Sequence, residues 1–469
     1  MKVISQRLND AAFWIEKAKQ EAGIITTGDS PGMAALRKTA LAKLPEQPVP
    51  GTYLEAYRYT DLEKYFDTSW QYNIQPSEMP VNVESFFACE VYGLDTWLIT
   101  MYNGWYTYKN APLRILPNGT IIGSLSRAMR EAPEIVDAWI GNAANLNDYF
   151  AALNAAFASD GFFIYVPDGV HLEKPIQMVN VVNHASPLFM QTRHLIIVGK
   201  GSSVKLVHCD DSHNHTAGFT NSVTEVFIGR DSQVEYYKMQ NINDDSVILN
   251  KTFINQQGGS SLNTYGICLH GGLIRNEIYN QLLQPHAEAN HYGLFLMDKK
   301  QQSDNIVFVT HAASDCQSNQ LYKGILDDYA RGVFNGHIHV KPDAQRTAAY
   351  QSNRNILLTD KAVINTKPFL EIYADDVKCS HGATVGQLDA DALFYLRARG
   401  IDISNARLLL MYAFAADVLN HISIPTLHDR LDDLVKKRLR GELSICDQCV
   451  LHCKTPEKPI DFEIDMSKI

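Results

Sequence analysis

No segment of the chain has the form G-x-x-x-x-G-K-[ST], which excludes nucleotide binding by a P-loop. GKGSS (199–203) supplies Gly199 and Lys200 but lacks the upstream glycine and a Ser or Thr directly after the lysine. G-x-S-x-G and H-E-x-x-H are missing too, and no dinucleotide fingerprint opens a helix after a strand. Most hydrolase and dehydrogenase readings lose their support. Basic charge is also short: 42 Lys and Arg stand against 52 Asp and Glu, a formal net charge of −10. A compact nucleic-acid binder carries a basic excess or stripe, so nucleic acid is not an expected partner.

Long apolar runs are absent. The longest near the C-terminus, ARLLLMYAFAADVL (406–419), is too short to span a bilayer and contains Asp417. The opening MKVISQRLNDAAFWIEKAKQEAG mixes charges into its apolar positions and has no signal-peptide pattern. A cytoplasmic chain without a membrane partner is expected. Cysteine is sparse as well, eight in 469 residues, which rules against a disulfide scaffold. Cys89, Cys209, Cys268, Cys316 and Cys379 are scattered and are expected as thiols. The other three sit together in CDQCVLHC (446–453).

What is present is a hydrophobic fraction of 45%, enough for a substantial core. Residues 1–75 read as a helical region, with helix-period apolar positions in NDAAFWIEKAKQEAG and PGMAALRKTALAKL. Residues 76–161 read as a mixed α/β lead-in. There SFFACEVYG and TWLITMYNGWYTY suggest strands, and SLSRAMREAPEIVDAWIG and NLNDYFAALNAAFASDG suggest helices, the last ending at Gly161. From 162 to 386 short Val-, Ile-, Phe- and Tyr-rich runs alternate with Gly, Asn, Asp and Ser turns. Residues 387–469 return to helix, with Ser404 and Thr426 as expected N-caps and Gly441 as a stop.

The central region carries a loose repeat. GKGSSVKL, GRDSQVEY and GGSSLNT each place a turn before an alternating strand. Val204, Val234 and Leu262 hold equivalent positions, 30 and then 28 residues apart, and TDKAVIN repeats the shape with Val363. Such spacing predicts a mainly β protein built on a β-solenoid, with a β-sandwich as the alternative. Helices at both termini are expected to cover the open ends of the coils. The C-terminal region is expected to be removable, at residue 401, without unfolding them.

Four clusters could carry chemistry. HCDDSHNH (208–215) is a metal site or a polar loop between coils. His337 and His339 in FNGHIHVKPDAQ share a strand face, as paired ligands or as a surface ladder. Cys446, Cys449 and Cys453, with His452, have ligand spacing for zinc or iron but lack a second C-x-x-C. In ADDVKCSHG, Cys379 and His381 share a strand face and offer thiolate and imidazole, with any further ligand coming from elsewhere.

The block from RGVFNGHIHVKPDAQ to ADDVKCSHGATVGQLDADALFYLRARGI (331–401), continuing through ARLLLMYAFAADVL, closely resembles the SufB/SufD family of the Suf iron–sulfur cluster machinery. EAYRYTDL (55–62) and FFIYVPDGVHLEKPIQM (162–178) extend the resemblance over most of the chain. CSHGATVG is of the SufD type, and Asn353 stands where SufB has a sulfur-accepting cysteine. The resemblance implies a right-handed parallel β-helix flanked by N-terminal and C-terminal helical regions. It implies a SufB-like partner bound through the β-helix and a SufC-like ATPase bound through the C-terminal helices, which suits the missing P-loop. An iron–sulfur cluster would be held transiently, shared with the partner, and no nucleotide would bind this chain. His381 matches the histidine of the family's CSHG motif implicated in cluster assembly; Cys379 is the weaker candidate. The resemblance is silent on the CDQCVLHC tail. A non-enzymatic scaffold is the leading expectation. A polysaccharide-active solenoid enzyme and a homodimeric form without a cluster are the alternatives.

Overall fold

The structure, a computed structural model, describes residues 2–5, 8–66, 68–76, 94–107 and 111–442. SFFACEVYG (85–93) and Cys446, Cys449 and Cys453 lie outside the described residues.

From Phe162 to Gly386 the chain passes back and forth between two sheets, one strand to each. The product is a parallel β-solenoid, with a 12-stranded and a 10-stranded sheet facing each other across a packed interior. The repeat seen in the sequence is its register. Val204 lies beside Val234, and Val234 beside Leu262, in the 10-stranded sheet. The column runs on through Ala289, Ser318, Ala349 and Cys379. Val363 is an exception. It starts a strand of the other sheet beside Arg331, and its side chain is exposed. The turn shape recurs at both corners of a coil, so it does not say which sheet follows.

One residue sits in the left-handed region just before each of six successive strands of the 10-stranded sheet, from Ser203–Ser212 to Thr347–Leu357. These are Gly201, Asp231, Gly259, His286, Asp315 and Arg346, with φ between 57° and 67°. The shared conformation turns the chain through the same corner each time, and the glycines, lacking Cβ, adopt it without penalty.

The terminal helices pack on the flat faces of the solenoid, not over its ends as expected. Trp14, Leu36, Phe150 and Phe157, from helices Ala11–Gln20, Pro31–Lys43 and Tyr149–Phe157, pack with Phe189, Phe219 and Val247 on the outer face of the 12-stranded sheet. Met411, Ala415, Leu427 and Leu431, from Ile403–Leu419 and Pro425–Leu439, cover Val207, Tyr237, Ile267 and Leu294 on the outer face of the 10-stranded sheet. A strand twists but stays open on both faces, and each sheet buries one face inside the coil. The other face is what the helices bury. The C-terminal helices are therefore part of the core, and cutting at residue 401 would strip it.

Three helix boundaries differ from expectation. Asp402, not Ser404, is the N-cap of Ile403–Leu419, its carboxylate accepting from the N–H groups of Ser404 and Asn405. Pro425 occupies the first turn of the next helix after Ile424, which places Thr426 inside it. Helix Tyr149–Phe157 ends at Ala158, ahead of Gly161. Gly161 serves close approach instead: a Cβ there would lie 1.6 Å from the carbonyl oxygen of Arg193.

Candidate functional site at the open end of the solenoid

The last strand of each sheet, Val363–Ile372 and Val377–Gly386, is an edge strand, and both edges fall at the same end. No residue of either strand is buried, whereas strands in the middle of the solenoid are buried along most of their length. Val363, Phe369, Ile372 and Val385 are exposed there. Two ten-residue rows of backbone groups thus face outward with no described strand beside them.

His381 and Cys379 lie on Val377–Gly386, two apart and on one face, as expected. The register says which face. Cys379 pairs with Ala349 and His381 with Gln351, both buried, so the two side chains stand at the ends of inward-facing columns. They are accessible because no further coil among the described residues covers them. Burial pushes the Cys379 thiol up, opposed by a hydrogen bond from the Ala349 backbone. A half-buried thiol held protonated is a poor nucleophile and a poor ligand. His381 is exposed.

Behind His381 the interior is polar. Its column runs inward through Gln351, Gln320, His291, Thr264 and Tyr236. The Gln351 amide donates to Gln320 at 2.6 Å, and His291 Nδ1 lies 2.7 Å from the Thr264 hydroxyl. Burial holds the His291 imidazole neutral down to about 4. Deeper still, Lys238 Nζ sits 2.8 Å from Asp210, whose carboxylate also faces His208 at 3.4 Å. Burial alone would raise the Asp210 carboxyl; the Lys238 ammonium and His208 outweigh it and hold the group far below the usual range. HCDDSHNH is thus not a loop throughout. Residues 208–212 belong to strand Ser203–Ser212, with His208 and Asp210 inside the solenoid and Cys209 packed outward against the C-terminal helices. The alternation of a strand was masked in sequence by the neighbouring Asp211, His213 and His215.

Chemically, the open end offers one accessible imidazole, one protonated thiol and two unpaired strand edges.

The SUF system FeS cluster assembly, SufBD core domain, matches residues 180–414, and the SufBD protein N-terminal region matches 10–178. The chain belongs to the SufB/SufD family. An iron–sulfur cluster assembly SufBD family protein of Synechocystis is 30% identical over 433 residues, covering 90% of this chain and 95% of that protein. The iron–sulfur cluster assembly protein SufD of Escherichia coli is 29% identical over 297 residues, 63% of this chain and 70% of that protein. SufD of Bacillus subtilis is 27% identical over 332 residues, 69% and 74% respectively.

EAYRYTDL (55–62) has a clear structural place. Tyr57 and Thr60 strap the outer face of the 12-stranded sheet, where the Arg275 guanidinium lies 4.1 Å from the Tyr57 ring centre and donates to the Ala56 carbonyl. Asn353 is fully buried, and its amide donates to the Tyr322 carbonyl at 3.2 Å. Among the described residues no helix is long and apolar enough to cross a membrane.

Proposed function

We propose that this chain is a SufD-type scaffold subunit, itself without catalytic activity. In this reading it assembles iron–sulfur clusters with a SufB-like partner and a SufC-like ATPase. The observation that carries the reading is the open end: His381, in the family's CSHG motif, is presented by a terminal coil with both strand edges unpaired. A SufB-like chain adding its strands there would gain backbone hydrogen bonds along both edges and cover Val363, Phe369 and Ile372. The cluster is cargo, held between the two chains and passed on. His381 contributes an imidazole to it, and Cys379 contributes packing.

The ATPase contact is assigned to the C-terminal helical region. Helix Ala390–Ala398 has no buried residue and exposes Phe394 at 74% and Tyr395 at 56%. Two large aromatic side chains held in water on one short helix suit an interface anchor. The inner faces of the following two helices are taken by the solenoid, which leaves this helix as the free surface.

The test is co-expression with SufB-like and SufC-like chains from the same source, followed by anaerobic reconstitution and spectroscopy of the bound iron. A stable three-component assembly is expected, with cluster loading lost in His381→Ala. Failure to form an assembly, or full loading in the variant with the assembly intact, would overturn the reading.

A further inference from the structure

The outer face of the 12-stranded sheet holds a second group of ligands, distant in sequence from the CSHG motif. His337 and His339 sit two apart on strand Arg331–Val340 and point outward, and Glu371 lies directly beside His339 on the next strand. His337 Nε2 is 3.0 Å from Glu371 Oε2, and His339 Nδ1 is 3.2 Å from the same oxygen. One ligand atom from each residue lies within 4.8 Å of the other two. We propose that His337, His339 and Glu371 form a binding site for a divalent first-row transition cation.

Three features support it. The first is spacing. Ligands about 2.0–2.2 Å from a tetrahedral cation stand roughly 3.3 Å from each other. The two distances above are already close to this, so a cation enters with small side-chain rotations. The second is charge. Among the described residues Glu371 has no ammonium or guanidinium partner; its contacts are the two imidazoles and the Tyr373 hydroxyl. Lys367, on the same strand, is turned away to Glu55. A carboxylate facing two imidazoles is a donor set that suits a divalent transition cation. The third is orientation. Tyr373 donates to Oε1 at 2.6 Å, which leaves Oε2 for the metal. The His337 ring is held between Phe308 and Phe369, with ring centres 4.2 and 4.7 Å away. These rings continue a stack through Tyr279 and Phe253 along the same column, so the imidazole is fixed before any metal arrives.

Two imidazoles and one carboxylate suit Zn²⁺ and Fe²⁺ rather than Mg²⁺ or Ca²⁺. Among the described residues the group has three members, and their side chains are 21%, 24% and 32% exposed. At least one coordination position therefore faces solvent. That composition belongs to an exchangeable or reactive metal, since closed structural sites use four protein ligands. The site stands independently of the cluster role, being on the other sheet from His381.

The experiment is an anaerobic titration of the reduced full-length chain with Co²⁺, read by visible absorption, in parallel with the His337→Gln/His339→Gln and Cys446→Ser/Cys449→Ser/Cys453→Ser variants. Expected is a one-equivalent d–d signal without thiolate charge transfer. It should persist in the cysteine variant, fall at least 100-fold in affinity in the histidine variant, and be displaced by Zn²⁺ or Fe²⁺. No such signal, or one unchanged in the histidine variant, overturns the proposal. Both histidines are partly exposed, and Glu371→Gln gives a second variant should the pair disturb folding. His381→Ala should bind Co²⁺ like the parent chain, which separates failure of this site from failure of the scaffold reading.

Discussion

His291 and His311 are buried imidazoles that burial holds neutral down to about 4. In the unfolded chain each titrates near 6.5. Between those values the unfolded state binds protons that the folded state refuses, so stability falls as pH drops from 6.5 toward 4. The slope is at most about 1.4 kcal/mol per pH unit for each histidine. His194 and His208, lowered chiefly by burial, add in the same direction. His291→Gln extends the glutamine column of Gln320 and Gln351, and it should flatten the fall. Urea unfolding at steps between pH 4 and 7 checks both the slope and its reduction. At His381 the expected effect is on cargo and not on folding: His381→Ala should keep the parent unfolding midpoint, and Cys379→Ala should reduce cluster loading less than His381→Ala does. Gly161→Ala should do the opposite. The new Cβ meets the Arg193 carbonyl at 1.6 Å, backbone against backbone, so the loss should exceed about 2 kcal/mol and appear directly in the denaturation midpoint.

At the scale of elements, helix Pro425–Leu439 shows how the C-terminal region is held. Arg438 donates to the carbonyl of Leu269 at 2.7 Å, to the Asp298 carboxylate at 2.7 Å and to the Gln301 side chain at 3.0 Å. A stacked ladder of Tyr237, Tyr265 and Tyr292 ends on His421, at ring separations of 4.5, 5.2 and 4.2 Å. Arg438→Ala is expected to cost about 3 kcal/mol, because Asp298 then loses its guanidinium partner. A chain ending at residue 400 should be recovered mainly as aggregate, since Val207, Tyr237, Met239 and Leu294 lose their cover. Solubility and hydrogen exchange of the truncated chain decide this. Elements such as these show what a sequence reveals. The coil repeat was visible in Val204, Val234 and Leu262 because corner residues and inward side chains recur locally. The shared face of Cys379 and His381 followed from the two-residue period of a strand. That the face points into the coil did not follow, because direction depends on register with Ala349 and Gln351. Glu371 was equally hidden as a partner of His337, since it arrives from the next coil, 34 residues later. Helix placement was misjudged for a related reason: apolar stripes announce that a helix is buried, and not against which surface.

For the whole molecule, the two ends of the solenoid are unlike. The far end finishes in antiparallel hairpins, where Arg114–Ile115 and Trp105–Tyr106 are only two residues long. Hairpins so short present almost no template to another chain. The near end presents two strands of ten residues each. Among the described residues the molecule is thus a plug with one socket, and end-to-end stacking is expected to stop after one joint. Two copies meeting through their sockets would leave two blunt ends, and a copy joined to a SufB-like chain would have no socket left to give. Self-association should therefore compete directly with partner binding and saturate at two. Sedimentation of the isolated chain across rising concentration should level off at the dimer mass, and adding the partner should dissolve that dimer. Polymerisation into filaments would show that the blunt end is sticky after all.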